Sequence, residues 1–134
     1  MGTTPFLENA IGSHIFRTAA YAKPTELYVG LFLVDALEPT ILLDEVSGGG
    51  YGRVQINPGD DNWAGPIDDN GIFFNLVNIE FPQQTTDWGL VGGWAIFDQG
   101  ANKLLTGLLV EPVEILTTTA KGIIPPGYLQ VEVS

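Results

Sequence analysis

The chain has 134 residues, of which 45% are hydrophobic and only 16% charged, and sixteen Asp and Glu against five Lys and Arg give a formal net charge of -11. That length suffices for one domain with its own core, and the absence of cysteine excludes a disulfide framework, a thiolate nucleophile and a sulfur-ligated metal. The cations Arg17, Lys23, Arg53, Lys103 and Lys121 are dispersed along an acidic chain, which argues against nucleic acid as a partner.

Thr4-Pro5 reads as an N-cap followed by proline at the first helical position, and Leu7, Ile11 and Ile15 then recur at four-residue spacing with Phe16 beside them. The pattern predicts a short amphipathic helix over roughly residues 5–17, weakened at Gly12 and dependent on docking against its own sheet or a neighbouring subunit. Glu26 to Val34 is aromatic, branched and almost uncharged, which predicts a central strand buried on both faces. A second strand is expected over Gly52 to Ile56, before a polar, turn-rich stretch from Asn57 to Gly71.

Ile72 to Phe81 reads as one half-buried strand stopped by Pro82. Leu90 to Asp98, with a bulge suggested by Gly92-Gly93, turns at Gln99-Gly100-Ala101-Asn102 into Lys103 to Val110, the clearest hairpin in the chain. Val113 to Leu116 and Tyr128 to Val133 complete seven or eight short strands. The fold class that follows is mainly β: an antiparallel β-sandwich, jelly-roll-like or barrel-like, with a short N-terminal α-helix. It is one domain over residues 1–134, with residues 1–23 as a helical arm. No apolar run approaches the ~20 residues of a membrane span, and the N-terminus lacks the basic start and apolar core of a signal peptide.

Chemistry finds little support. His14 is the one histidine and cysteine is absent, so an ordinary Cys/His zinc site cannot be assembled, and a catalytic triad finds no nucleophile-elbow sequence, Ser13 being merely adjacent on the helix. Asp60-Asp61 and Asp68-Asp69 sit beside Asn and Gly, where acidic side chains serve turns; paired carboxylates for glycoside hydrolysis and a surface calcium site are the sharper alternatives. Trp63, Trp88 and Trp94 read first as core or interface anchors, with saccharide stacking as the alternative.

The most informative stretch is Glu45-Val46-Ser47-Gly48-Gly49-Gly50-Tyr51-Gly52-Arg53. It matches neither phosphate-binding glycine motif. Three consecutive glycines are tolerated where φ must be positive or backbones must meet closely. Glu45 and Arg53 are placed to pair across the turn as a charge-assisted clamp, with the Tyr51 ring packed beneath.

The ordered set of the N-terminal helix, Leu27-Tyr28-Val29-Gly30-Leu31-Phe32, the glycine motif, Ile79-Glu80-Phe81-Pro82, Thr85, Trp88-Gly89 and Ala95-Ile96-Phe97-Asp98 resembles a family of small bacteriophage virion proteins labelled tail-fibre-like. Similar chains serve as capsid cement proteins. The resemblance implies a β-sandwich subunit made in the host bacterial cytoplasm, displayed in many copies on the virion, homotrimeric, without enzymatic activity and without a cofactor. The short length favours a decoration protein at the capsid surface, bound to itself and to the phage major capsid protein. The alternative is a tail-fibre or tail-tip component that attaches to the host surface. The structural or assembly candidates are Glu45, Gly48, Gly49, Gly50, Tyr51, Arg53 and Trp88, with Phe6 and Ile11 on the helix.

Overall fold

The computed structural model describes residues 2–133; Met1 and Ser134, the ends of the expected domain, lie outside them. In chain order the elements are β1 (Gly2–Thr3), α1 (Pro5–Phe16), β2 (Leu27–Val34), β3 (Leu42–Glu45), β4 (Val54–Gln55), β5 (Trp63–Ala64), β6 (Ile72–Asn75), β7 (Ile79–Glu80), β8 (Gly89–Asp98), β9 (Lys103–Ile115), β10 (Ile123–Ile124) and β11 (Gln130–Glu132). The protein is mainly β, with 39% strand and 9% helix, and its antiparallel sheets curl into a half-barrel. The main sheet runs β1-β9-β8-β2-β3 with β4 also on β2, and two small sheets, β10-β7 and β11-β6-β5, accompany it.

β2 is internal, as its double-sided hydrophobicity predicts. It pairs with β8 from Leu27 opposite Asp98 to Leu33 opposite Val91. Val29, Leu31, Trp94 and Ile96 project into the main core with Ile79, Phe81 and Leu129. On the opposite face Phe32, Ala95 and Phe97 form a second cluster. The predicted hairpin joins β8 to β9, where the Asp98 carboxylate accepts from the N–H groups of Gly100 and Asn102, both at 2.9 Å. Ala101 takes φ 60, the left-handed conformation that such a turn needs.

Several boundaries differ from the sequence reading. The expected strand from Ile72 to Phe81 is two strands, because Asn75 is fully buried and its amide serves as a junction. Its Nδ2 donates to Val77 O and Pro125 O, both at 2.9 Å, while its Oδ1 accepts from Gly127 N at 3.1 Å and Leu129 N at 3.0 Å. The two runs expected over Lys103 to Val110 and Val113 to Leu116 are one long β9. Its register to β8 shifts between Val91 opposite Val113 and Gly93 opposite Leu108, and that bulge accommodates Pro112. The strand expected at Gly52 to Ile56 shrinks to β4, and that at Tyr128 to Val133 shrinks to β11. The short strands β1, β3, β5 and β10 were not anticipated, since two to four residues carry too little alternation to be read as strands.

The helix begins as the sequence predicts. Thr4 is the N-cap, its hydroxyl accepting from Leu7 N at 3.4 Å, and Pro5 follows at the first helical position. Thr4 also ties the helix to β9: its N–H donates to Leu104 O at 2.9 Å, and its hydroxyl donates to Lys103 O at 2.6 Å. Of the two expected dockings, against its own sheet or a neighbouring subunit, the first is made through Leu7. Leu7 alone among the helix residues is buried, while Ile15 and Phe16 are 63% and 83% exposed.

Candidate functional site

The glycine motif fills a gap in the main sheet. β4 runs beside Tyr28 and Val29 of β2, β3 runs beside Phe32 and Val34, and no strand pairs with Gly30 and Leu31 on that side among the described residues. The chain between Glu45 and Val54 leaves the sheet as a loop in which Gly48, Gly49 and Gly50 take φ 72, 59 and 80. Three successive left-handed residues strain any side-chain-bearing residue. The loop folds back, with Tyr51 N donating to Gly48 O at 3.0 Å. The Tyr51 hydroxyl then takes the place of a missing strand, accepting from Leu31 N at 2.9 Å and donating to Glu45 Oε2 at 2.6 Å.

Glu45 and Arg53 form the clamp that the sequence suggests. Arg53 Nε donates to Glu45 Oε2 at 2.9 Å and its Nη2 to Oε1 at 2.8 Å, a two-point fork. The pair is half-buried, with side-chain exposures of 22% for Glu45 and 32% for Arg53. Trp88 anchors the glycines from below: its Nε1 donates to Gly49 O at 2.9 Å, and Thr85 N donates to the same oxygen at 2.8 Å. The Tyr51 ring stands edge-on to Trp88 at 5.4 Å and stacks with Phe81 at 6.4 Å.

Two residues of this site were not singled out by sequence reasoning. Gly30 lies beneath the clamp, and a Cβ there would sit 2.6 Å from Glu45 Oε2 and 3.0 Å from the Tyr51 hydroxyl. The signal was present, since a glycine inside an otherwise bulky strand marks a close approach. Phe97 is the other: the Arg53 guanidinium carbon lies 3.5 Å from its ring centroid, and Lys103 Nζ lies 4.7 Å above the ring of Phe32. Cations far apart in sequence thus cover adjacent rings on one face of the sheet.

The electrostatics follow from that enclosure. Burial acts to raise the pKa of Glu45, but hydrogen bonds from Arg53 and Tyr51 and the charges of Arg53 and Lys103 outweigh it and hold the carboxyl below its ordinary 4.5. Burial, then the hydrogen bond to Glu45, push the Tyr51 phenol well above its ordinary 10.0. The hydrogen bond to Glu45 raises the pKa of Arg53. These shifts keep the triad in one protonation state across the neutral range, which suits a fixed joint.

A family model described as podophage GP4 fiber I protein gp80 matches residues 2–132. The chain belongs to that family. It is a bacteriophage structural protein. None of the curated proteins matches it.

Within this member of the fibre-protein family, the other sequence candidates fall into two places. Glu45, Gly49, Tyr51, Arg53 and Trp88 converge in the clamp, with Gly50 packed against Gln83 O and Gly48 supplying the turn. Phe6 and Ile11 lie elsewhere, on α1, 42% and 36% exposed. Phe6 helps to line a depression of about 390 Å³ between the helix and Ala19, Ala20 and Tyr21. Ile15 and Phe16, at the end of the helix, are left uncovered by the rest of the chain.

The remaining polar candidates have local roles. His14 Nδ1 accepts from Tyr21 N at 3.0 Å and steadies the exit from the helix. Asp68 and Asp69 have φ 49 and 58, and Asn70 N donates to Ile67 O at 3.0 Å, as in a tight turn. Gly59 O accepts from Asn62 N and Trp63 N, both at 3.1 Å, folding Asp60 and Asp61 into another turn. Among the described residues no group of three or more His, Cys, Asp or Glu is placed to hold a metal ion, and no helix is long and apolar enough to cross a membrane.

Proposed function

We propose that this chain is a repeating subunit of the phage fibre apparatus that works by burying apolar surface against copies of itself, in a homotrimer, and against a neighbouring virion protein. The observation that carries this reading is the uncovered stripe of α1, where Ile15 and Phe16 stand open on a helix that holds its own subunit through Leu7. A chain with 16% charged residues can desolvate such a surface at little electrostatic expense. The fibre assignment rests on the description of the matched family.

The second reading is a capsid decoration protein bound to the major capsid protein. It is favoured by the lack of an internal repeat in this sequence, since elongated repeat architectures carry a fixed period. Immunogold labelling of intact particles separates the two. Label on the tail fibres supports the proposal, label over the heads replaces it with decoration, and no label on particles overturns both. Light-scattering mass of the purified chain tests the trimer directly.

Saccharide stacking has one remaining candidate among the tryptophans. Trp88 and Trp94 are buried, whereas Trp63 lines a cavity of about 370 Å³ with Tyr21, Phe73 and Asp60.

A further inference from the structure

At one side of the main sheet the long β9 is followed only by the two-residue β1, which covers part of its outer edge. β1 pairs with it at two positions, Gly2 opposite Thr106 and Thr3 opposite Leu105. Beyond them, no strand of the described residues pairs with β9 on that side. β1 also touches β11, so an extended chain already fits the corridor between β9 and β11 at one end. The rest of the corridor is a cleft of two adjoining depressions, about 170 and 380 Å³, which share Leu108 and Gln130.

The lining of the cleft defines what it would take. Leu108, Val110 and Tyr128 are exposed apolar walls, with Val110 83% exposed. Trp94 lies at the base of the cleft, cross-strand from Gly107, and a Cβ on Gly107 would come 2.8 Å from its Nε1. Trp94 is only 3% exposed, and its indole N–H meets no acceptor among the described residues, whereas those of Trp63 and Trp88 each reach a backbone carbonyl. An unpaired donor at the base of a cleft is open to an incoming carbonyl. Glu132 lines the cleft, Glu111 and Glu114 follow on β9, and no Lys or Arg lines either depression.

We infer that the edge of β9 at Leu108–Val110 docks an extended segment of a different virion protein, one alternating apolar residues with Lys or Arg. Its backbone would continue the ladder that β1 begins, and a carbonyl would accept from Trp94. Its apolar side chains would lie against Leu108, Val110 and Tyr128, and its cations would face the carboxylates. Pro112 has no N–H to offer, which limits the ladder to a few residues. The same edge of a second copy, which brings Glu111, Glu114 and Glu132, is the wrong electrostatic complement.

The test uses the purified full chain and two short fluorescein-labelled peptides, one alternating valine with lysine and one alternating valine with glutamate. Saturable binding of the lysine peptide is expected, with a shift in tryptophan emission and slowed amide exchange at residues 108–110. Replacing both Leu108 and Val110 by Lys should weaken binding about tenfold or more. The Tyr128→Lys variant, which leaves β9 unaltered, provides an independent check in the same direction. Three results would overturn the inference: no binding at millimolar peptide, equal binding of the glutamate peptide, or binding indifferent to these variants. Concentration-dependent protection of residues 108–110 in the chain alone would assign the edge to a second copy and overturn it too.

Discussion

Leu31 donates its backbone N–H to the Tyr51 hydroxyl at 2.9 Å, so a side chain completes a ladder position that no strand fills among the described residues. The relationship explains why the loop needs three glycines. A short, left-handed return is what brings the phenol back to the sheet it has just left.

Tyr51→Phe keeps the ring contacts and removes the acceptor for Leu31 N and the donor to Glu45. The expected loss is about 1–3 kcal/mol, the cost of leaving a buried polar group unpaired. Urea denaturation measures it, and faster amide exchange localised at Leu31 distinguishes it from a general loosening.

Gly30→Ala drives a methyl group toward the Glu45 carboxylate and the Tyr51 hydroxyl. Overpacking of this kind costs about 1–3 kcal/mol. Gly12→Ala is the counterpart in open space, with nothing within 4 Å of the added Cβ on the helix. There the change stabilises by up to about 1 kcal/mol. Opposite shifts in the denaturation midpoint of the two variants are the expected outcome.

The depressed pKa of Glu45 has a definite sign in stability. In the unfolded chain the carboxyl titrates near 4.5, and in the folded chain it titrates lower. Its contribution is therefore full above about pH 4.5 and is lost as pH falls through the folded value. For Tyr51 the folded pKa is raised, so its contribution holds below pH 10.0 and is lost above it. Glu45→Gln should flatten the acid limb of stability against pH, and Tyr51→Phe the alkaline limb, in denaturation midpoints measured across both ranges.

Arg53→Ala leaves Glu45 half-buried without its fork and bares the ring of Phe97. The expected cost is about 1–3 kcal/mol, between that of an exposed and that of a buried ion pair. Arg53→Lys should recover only part of it, because a point charge cannot make both hydrogen bonds. Thermal melts of the two variants decide this.

Replacing Ile15 and Phe16 together by Glu should leave the fold intact, within about 0.5 kcal/mol of the parent, because neither side chain packs in the subunit core. Assembly should be lost instead. Light scattering that reads a monomer beside an unchanged melting curve is the expected result; an unchanged oligomer mass would remove α1 from the interface.

The helix start, the internal strand β2, the β8–β9 hairpin and the Glu45–Arg53 clamp were all legible in the residues. Each rests on local chemistry: a hydroxyl cap with proline, uninterrupted apolar residues, a turn, opposite charges flanking glycines. Asn75 was not legible as a junction, because its partners Pro125, Gly127 and Leu129 lie some fifty positions away. The same holds for Gly30, whose reason is an overlying carboxylate from another strand.

Composition and pattern alone therefore determined a mainly β chain with a glycine-built joint, because short-range sterics and alternation act over a few residues. Only the folded chain decided which apolar surfaces stay open. Leu7, Ile11 and Ile15 share one helical spacing, yet Leu7 meets the core while Ile15 stands in solvent. Burial depends on where the sheet ends beneath the helix, a distance that no local pattern encodes.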